Sequence, residues 1–335
     1  MSLTCTYLLP LRRFIYGAKE AAALADYFEL LLSLGCDILV VDGSVDNIFA
    51  QHHNAWSALC RHVRVDRRFG YLNDKTNGIH TGIEQALHEK IVLADDDIRY
   101  SAESLGELLK RLDEHDVVRP QNYLDPLPWW AAMEAARMLI NRATLRTADY
   151  SGTCAFWRRA MLEAGHHDGD VLFDNEEMIR HFVTTGADVD YAENLFVLKR
   201  PPTLRKWIEQ RPRQAYEDFG LRAKTALFFS LPIVILAAGF FLARRELAGL
   251  LLALFSLSIL LATCGRHRGV AARYFPFWII FVAPMWIVER CLSSYWALYW
   301  LLRYGGYPFG GTLLTRGIGR DWHRGATGLG VPVKH

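Results

Sequence analysis

Ile91-Val92-Leu93-Ala94-Asp95-Asp96-Asp97 passes from four apolar residues directly into three carboxylates. A short continuous apolar run is the mark of a buried parallel strand, and in open α/β sheets ligands lie just beyond the carboxyl ends of such strands. The acids therefore face a binding crevice. Carboxylates this close repel one another and stay ionised together only beside a divalent cation, hydrogen-bond donors or free water. Taken alone, the triplet reads equally as a metal grip or as a solvated turn before a helix near Glu103, capped by Asp97 or Ser101.

The flanking sequence alternates between strand and helix patterns. Tyr7 to Leu11 reads as a strand, Ala18 to Leu34 as an amphipathic helix, and Asp37 to Val41 as a strand ending in Asp42-Gly43-Ser44. A helix around Asn54 to Cys60, a short strand from His62 to Val65 and a helix from Asn77 to Leu87 lead to the Ile91 strand. This alternation predicts an α/β domain with a mostly parallel, Rossmann-like sheet. Asp42 and the triplet then end on one edge of it. An acid beside a Gly-Ser turn suits a base or ribose, and acids spaced one apart suit the metal that bridges two phosphates. Lys75, in the intervening loop, either contacts a phosphate or sugar or is an exposed loop lysine.

Composition divides the chain. Across 335 residues, 38 Lys and Arg nearly balance 36 Asp and Glu, which argues against a nucleic-acid binder. The segment 1–222 is charge-rich and soluble in character, 223–303 is apolar, and 304–335 is a basic tail. Thr225 to Ala243 and Leu247 to Cys264 are uncharged and long enough to cross the roughly 30 Å hydrocarbon core, with Arg244-Arg245-Glu246 between them as a hairpin. Phe275 to Leu302 is apolar and aromatic but interrupted by Glu289 and Arg290 and bent by Pro276 and Pro284. It reads as one span with a central ion pair or as two shorter segments.

Basic clusters orient the spans. Arg205, Lys206, Arg211, Arg213, Arg222 and Lys224 precede the first, and Arg266, His267, Arg268 and Arg273 follow the second. Both belong on the cytoplasmic side. Arg303, Arg316, Arg320, Arg324 and Lys334 in the tail favour the same side and so an even number of crossings. Leu8 to Leu11, with Pro10 inside it and Arg12-Arg13 after it, has the wrong order for a secretory leader. The six cysteines lack metal-ligand or disulfide spacing, which suits a reducing compartment. The expectation is a multi-pass protein of the cell (inner) membrane with a cytoplasmic catalytic domain.

Pro10 in the first strand, Asp42-Gly43-Ser44 after the second, Lys75 with Asn77-Gly78, and Asp95-Asp96-Asp97 occur together and in order. Over this stretch the chain resembles the membrane-bound glycosyltransferase family 2 enzymes of the GT-A fold. Downstream, Ser151-Gly152-Thr153 before Phe156-Trp157-Arg158 is similar to the family's acceptor region. Asp174-Asn175-Glu176-Glu177 stands where the family carries Glu-Asp. Gln210 and Arg213 match its Gln-x-x-Arg-Trp motif, but Gln214 replaces the Trp, which argues against a polymerising synthase.

The resemblance implies inverting, non-processive transfer of a sugar from a nucleoside diphosphate donor, UDP-linked by first expectation, to a hydroxyl or phosphate of a membrane lipid, as in envelope glycolipids. It implies Mg²⁺ or Mn²⁺ on Asp97 with Asp95, and donor contacts from Pro10, Asp42, Lys75, Asp96, Gln210 and Arg213. Glu177, Glu176 and Asp174 are the candidate bases, with Glu177 favoured. If Asp174 caps the helix with Glu177 as capping-box partner, Glu176 becomes the base. His166-His167-Asp168 lacks a further ligand at metal spacing, and Trp129-Trp130 reads as packing. Oligomeric state is not legible. A nucleotidyltransferase lacks support because no Gly-rich loop follows the first strand, and a non-catalytic membrane scaffold is the remaining alternative.

Overall fold

The computed structural model describes residues 3–319. They form two compact units. The first comprises the residues up to Asn122 with Ser151–Lys199, and the second comprises Tyr123–Tyr150 with the residues from Arg200 onward. The division therefore does not fall at the composition boundary near Arg222, because two helices of the soluble-looking half, within Tyr123–Tyr150 and after Arg200, join the apolar unit.

The first half of the chain runs β1 (Thr6–Leu11), α1 (Ala18–Ser33), β2 (Asp37–Asp42), α2 (Asp46–Trp56), β3 (Arg61–Arg64), α3 (Asp74–Gln85) and β4 (Lys90–Ala94). Next come β5 (Ile98–Arg99), α4 (Ala102–Leu112), β6 (Val117–Leu124), α5 (Trp129–Thr144), β7 (Thr153–Trp157), α6 (Arg158–Ala164), α7 (Asp174–Thr185) and β8 (Val189–Lys199). The sheet order is β3-β2-β1-β4-β7-β6-β8-β5. Strands β1 to β4 pair in parallel, with Leu8 opposite both Leu39 and Leu93, so β1, β2 and β4 end in line. Antiparallel β7, paired to β4 and β6, continues the sheet beyond its parallel part.

Alternation along the parallel strands divides the core into two layers. Leu9, Val40 and Val92 pack with Leu24 and Phe28 of α1 and Leu105 of α4. Leu8, Leu39 and Leu93 pack with Ile79 of α3 and Met178 and Phe182 of α7. Both faces are covered by helices, which is why these strands read as unbroken apolar runs.

Three local boundaries differ from expectation. Helix α2 begins at Asp46, not near Asn54, because Ile48, His52 and Trp56, each four residues apart, form its buried face. The polar look of Gln51-His52-His53-Asn54 concealed that periodicity. Ser101 caps α4 through a reciprocal capping box with Ser104, so Asp97 is not a cap. Helix α7 starts with Asp174 as its first helical residue, and its N-cap is Phe173 with no side-chain cap, so Asp174 does not form the expected box with Glu177.

The second unit contains α5, α8 (Leu204–Asp218), α9 (Arg222–Phe241), α10 (Arg244–His267), α11 (Ala283–Tyr304) and a hairpin of β9 (Tyr307–Phe309) and β10 (Thr312–Leu314). Arg222–Phe241, Arg244–His267 and Phe277–Tyr304 are long and apolar enough to cross a membrane. These are three candidate crossings, where the charge pattern favoured an even number. Arg320, Arg324 and Lys334 of that pattern lie outside the described residues. Only Leu242 and Ala243 separate α9 from α10, and Arg244-Arg245-Glu246 forms the first turn of α10 instead of the link.

The third apolar region is a short 3-10 helix, Phe277–Val282, running directly into α11, with its two prolines at the ends of the 3-10 piece. Glu289 and Arg290 do not neutralise one another at mid-span. Glu289 lies 3.8 Å from Arg211 of α8, and Arg290 lies 3.6 Å from Asp218 at the end of α8. A charge on an apolar helix is tolerated where it faces protein and finds a partner. Arg211 is itself buried and also lies 3.4 Å from Glu134 of α5.

Candidate active site

The triplet leaves β4 at its carboxyl end, and its three acids go to different partners. Asp95 lies 2.6 Å from the ammonium of Lys75. Asp96 pairs with Arg13, and Asp97 lies 3.6 Å from Lys199 at the end of β8. Each keeps between a fifth and a third of its side chain exposed. They stand partly exposed at the carboxyl end of β4 and are not a buried structural cluster.

Lys75 is the hub of the site. Asn73 caps α3 by accepting the Lys75 amide, which sets the lysine in the first turn. Its Nζ donates to Asn175 at 2.8 Å and lies 2.9 Å from Asp174, besides Asp95. Burial would lower its pKa, but Asp174 and Asp95 outweigh that and raise it above the ordinary lysine value. The two carboxylates thus favour the charged ammonium. It joins the end of β4 to the start of α7, two segments far apart in sequence.

Gly152 brings β7 against the triplet. Its carbonyl accepts the Asp95 amide at 3.1 Å, and its own amide donates to Asn122 at 3.0 Å. A Cβ at this position would lie 2.8 Å from Asp95 Oδ2 and 3.3 Å from Lys199 Nζ, too close for either to stay in place. Gly152→Ala is accordingly expected to displace Asp95 from its place beside Lys75.

The three base candidates separate by environment. Glu177 has no exposed surface and is clamped by Arg180 of its own helix. Glu176 pairs at 2.8 Å with Arg119, which is itself buried. Burial does not rank the three, since Asp174 is 4% exposed, Glu176 7% and Glu177 0%; what distinguishes Asp174 is its ion pair with Lys75. Asp174 alone shares the lysine with Asp95.

Pro10 is buried in β1, opposite Val41 of β2, and a Cβ on Gly78 of α3 would lie 3.0 Å from it. It therefore shapes the floor beneath the start of α3. Asp42 is fully enclosed. One of its oxygens accepts the Ser44 amide at 2.8 Å, and the other accepts from His52 at 2.6 Å and His62 at 3.1 Å. As placed, it offers a nucleobase no surface, which corrects the expectation of direct contact. Burial would raise its pKa, yet the hydrogen bonds from His52, His62 and Ser44 together hold it well below the usual carboxylate range.

Gln210 and Arg213 belong to α8 of the second unit, where Arg213 lies 3.2 Å from Glu217 and over the ring of Phe309. Gln214 accepts from Arg290 at 3.2 Å, so the residue in the Trp position of the motif braces α11. Trp130 donates to the Pro202 carbonyl at 2.9 Å, a packing role as expected. His166, His167 and Asp168 do not gather as metal ligands. His166 stacks on His80, with ring centroids 4.0 Å apart, and burial pushes both His80 and His167 down to about 3, which keeps them neutral.

Residues 18–165 match the family model described as Glycosyl transferase family 2. No curated protein matches the chain. Among solved structures it is similar to the mannosyltransferase PcManGT from Pyrobaculum calidifontis, in complex with GDP-Man and Mn²⁺. The two are 16% identical over 87% of each chain, with a TM-score of 0.54. It is also matched by the glucosyl-3-phosphoglycerate synthase from Mycobacterium tuberculosis in complex with Mn²⁺ and UDP-glucose, at 18% identity over 61% of this chain and 73% of that one, TM-score 0.42.

Proposed function

We propose that the chain, whose residues 18–165 match the family 2 model and whose fold is of GT-A type, is a glycosyltransferase that moves a sugar, with inversion, from a nucleoside diphosphate to a lipid acceptor in the membrane. The observation that carries the reading is the convergence of Asp95, Asp174 and Lys75 at the ends of β4, α7 and α3. Carboxylates bracketing one fixed positive charge suit a reaction that expels a diphosphate on one side and takes up a proton on the other.

A divalent cation fits the donor set. Asp95 and Asp97 supply hard oxygen ligands on a partly exposed rim, and the missing side chain at Gly152 leaves room beside them. Mg²⁺ or Mn²⁺ held there would supply charge against the diphosphate leaving group. Lys75 holds Asp95 and Asp174 in a fixed relation. Asp174 would take the acceptor proton. Asp96, tied to Arg13, would shape the donor side, and Asp42 would act by fixing the Gly43-Ser44 turn against which the nucleobase rests.

The lipid acceptor rests on the second unit. Beyond its three apolar helices, that unit holds a cavity of about 610 Å³ lined by Met133, Trp207, Phe255, Met285, Val288 and Trp296, with Arg211 and Glu289 in its wall. Pockets of this size commonly bury a small ligand or a stretch of acyl chain. The test is transfer from labelled UDP- and GDP-sugars by the full chain in vesicles of total lipid extract. Label should enter the organic phase only with Mg²⁺ or Mn²⁺ present. Label confined to water-soluble products would overturn the lipid acceptor and leave the glycosyltransferase assignment intact.

A further inference from the structure

Asp42, His52 and His62 come from three different elements, the end of β2, the middle of α2 and β3, and meet at one buried point. Asp42 Oδ2, His52 Nδ1 and His62 Nε2 all lie within 4.8 Å of one another. Among the described residues, no other three His, Cys, Asp or Glu side chains converge in this way. From this we propose a second metal site, separate from the Asp95 and Asp97 pair, which binds Zn²⁺ and ties α2 to the two strands beneath it.

The donor chemistry selects the ion. Two imidazole nitrogens and one carboxylate oxygen are a borderline set that favours Zn²⁺ over Mg²⁺ or Ca²⁺, which take oxygen ligands. Tetrahedral zinc with bonds near 2.0 Å places its ligand atoms about 3.3 Å apart. Here the carboxylate oxygen is 2.6 Å from His52 and 3.1 Å from His62, so metal entry needs the His52 contact to open by roughly 0.7 Å and the His62 contact by roughly 0.2 Å. Without metal, the same atoms close on one another as hydrogen bonds.

The outer shell is that of a ligand set. Metal-bound histidines usually donate their other nitrogen to a fixed partner, which sets the tautomer. His62 Nδ1 lies 3.3 Å from His53 Nδ1, and the second Asp42 oxygen is held by the Ser44 amide. Both rings are clamped by stacking, His52 on Trp56 at 4.5 Å and His62 on Phe49 at 4.2 Å between centroids. His52 is 3% exposed and His62 8%. With three protein ligands and little access, the fourth position suits a trapped water, and the role is structural: the site holds the Gly43-Ser44 turn.

The full chain in detergent, stripped with chelator and kept in excess Mg²⁺ to fill the carboxylate site, is titrated with Co²⁺ and separately with Zn²⁺. The expected result is a visible tetrahedral Co²⁺ band and roughly one tightly held zinc per chain. Both should persist in Asp97→Ala and be lost in His52→Gln and in His62→Gln. His53→Gln should weaken zinc binding about tenfold. A folded wild-type chain, checked by circular dichroism, that binds no zinc and gives no band overturns the proposal. So does a band lost in Asp97→Ala but kept in the two histidine variants. Because the readout is metal content, a failure of the transferase reading leaves it untouched.

Discussion

Asp97→Ala is expected to lower sugar transfer by about 10³-fold, equivalent to about 4 kcal/mol of lost transition-state stabilisation. The size follows from what the residue is proposed to hold. Departure of a diphosphate concentrates negative charge, and fixed positive charge at that point is worth several kcal/mol in a site shielded from water. The fold should survive, because Asp97 is partly exposed, caps no helix, and its Lys199 partner is partly exposed too. Asp96→Ala is the internal comparison. Its carboxylate is already taken by Arg13, so the loss should stay within about tenfold, the cost of one misplaced neighbour. Activity measured across a Mn²⁺ series with unchanged melting temperature checks both. Equal losses in the two variants would mean that the triplet acts through its summed charge and not through a specific ligand.

How far these arguments were available from the chain alone differs by residue. The Ile91 strand and its acids were legible because a strand covered on both faces must be apolar throughout and must end where polar residues begin. The same logic located β1, β2 and the apolar helices. Capping by Ser101 was legible only as one of two alternatives, and the choice decided whether Asp97 is available to a ligand. The partners of Asp42 were not legible. His52 sits on a helix and His62 on a strand, and only the packing of α2 across β2 and β3 brings them together. The rank of the three acids in α7 depended on a single boundary residue, and boundaries are where local pattern is weakest.

That boundary makes the second large prediction. Asp174→Asn is expected to lower the turnover of bound donor by about 10²- to 10⁴-fold, the range for loss of a positioned general base, while donor affinity changes only severalfold. Asparagine keeps the shape of the side chain but cannot accept the acceptor's proton. It also leaves Lys75 with Asp95 as its one remaining carboxylate partner among the ion pairs described here. Lys75→Met separates these effects, since it removes the ammonium and keeps the acid; if Asp174 is the base, it should weaken donor binding more than Asp174→Asn does. Glu177→Gln is expected to behave in the opposite way. Its carboxylate is fully buried against Arg180, so the variant should lose stability by about 3–5 kcal/mol, as when one member of a buried pair is neutralised, with turnover per folded molecule preserved. Glu176→Gln should resemble it, through Arg119. Single-turnover rates at saturating donor, paired with thermal melts, read the two quantities independently. A dead, stable Glu177→Gln beside an active Asp174→Asn would return the base to Glu177, and would require α7 to unwind its first turn before the acceptor could reach it.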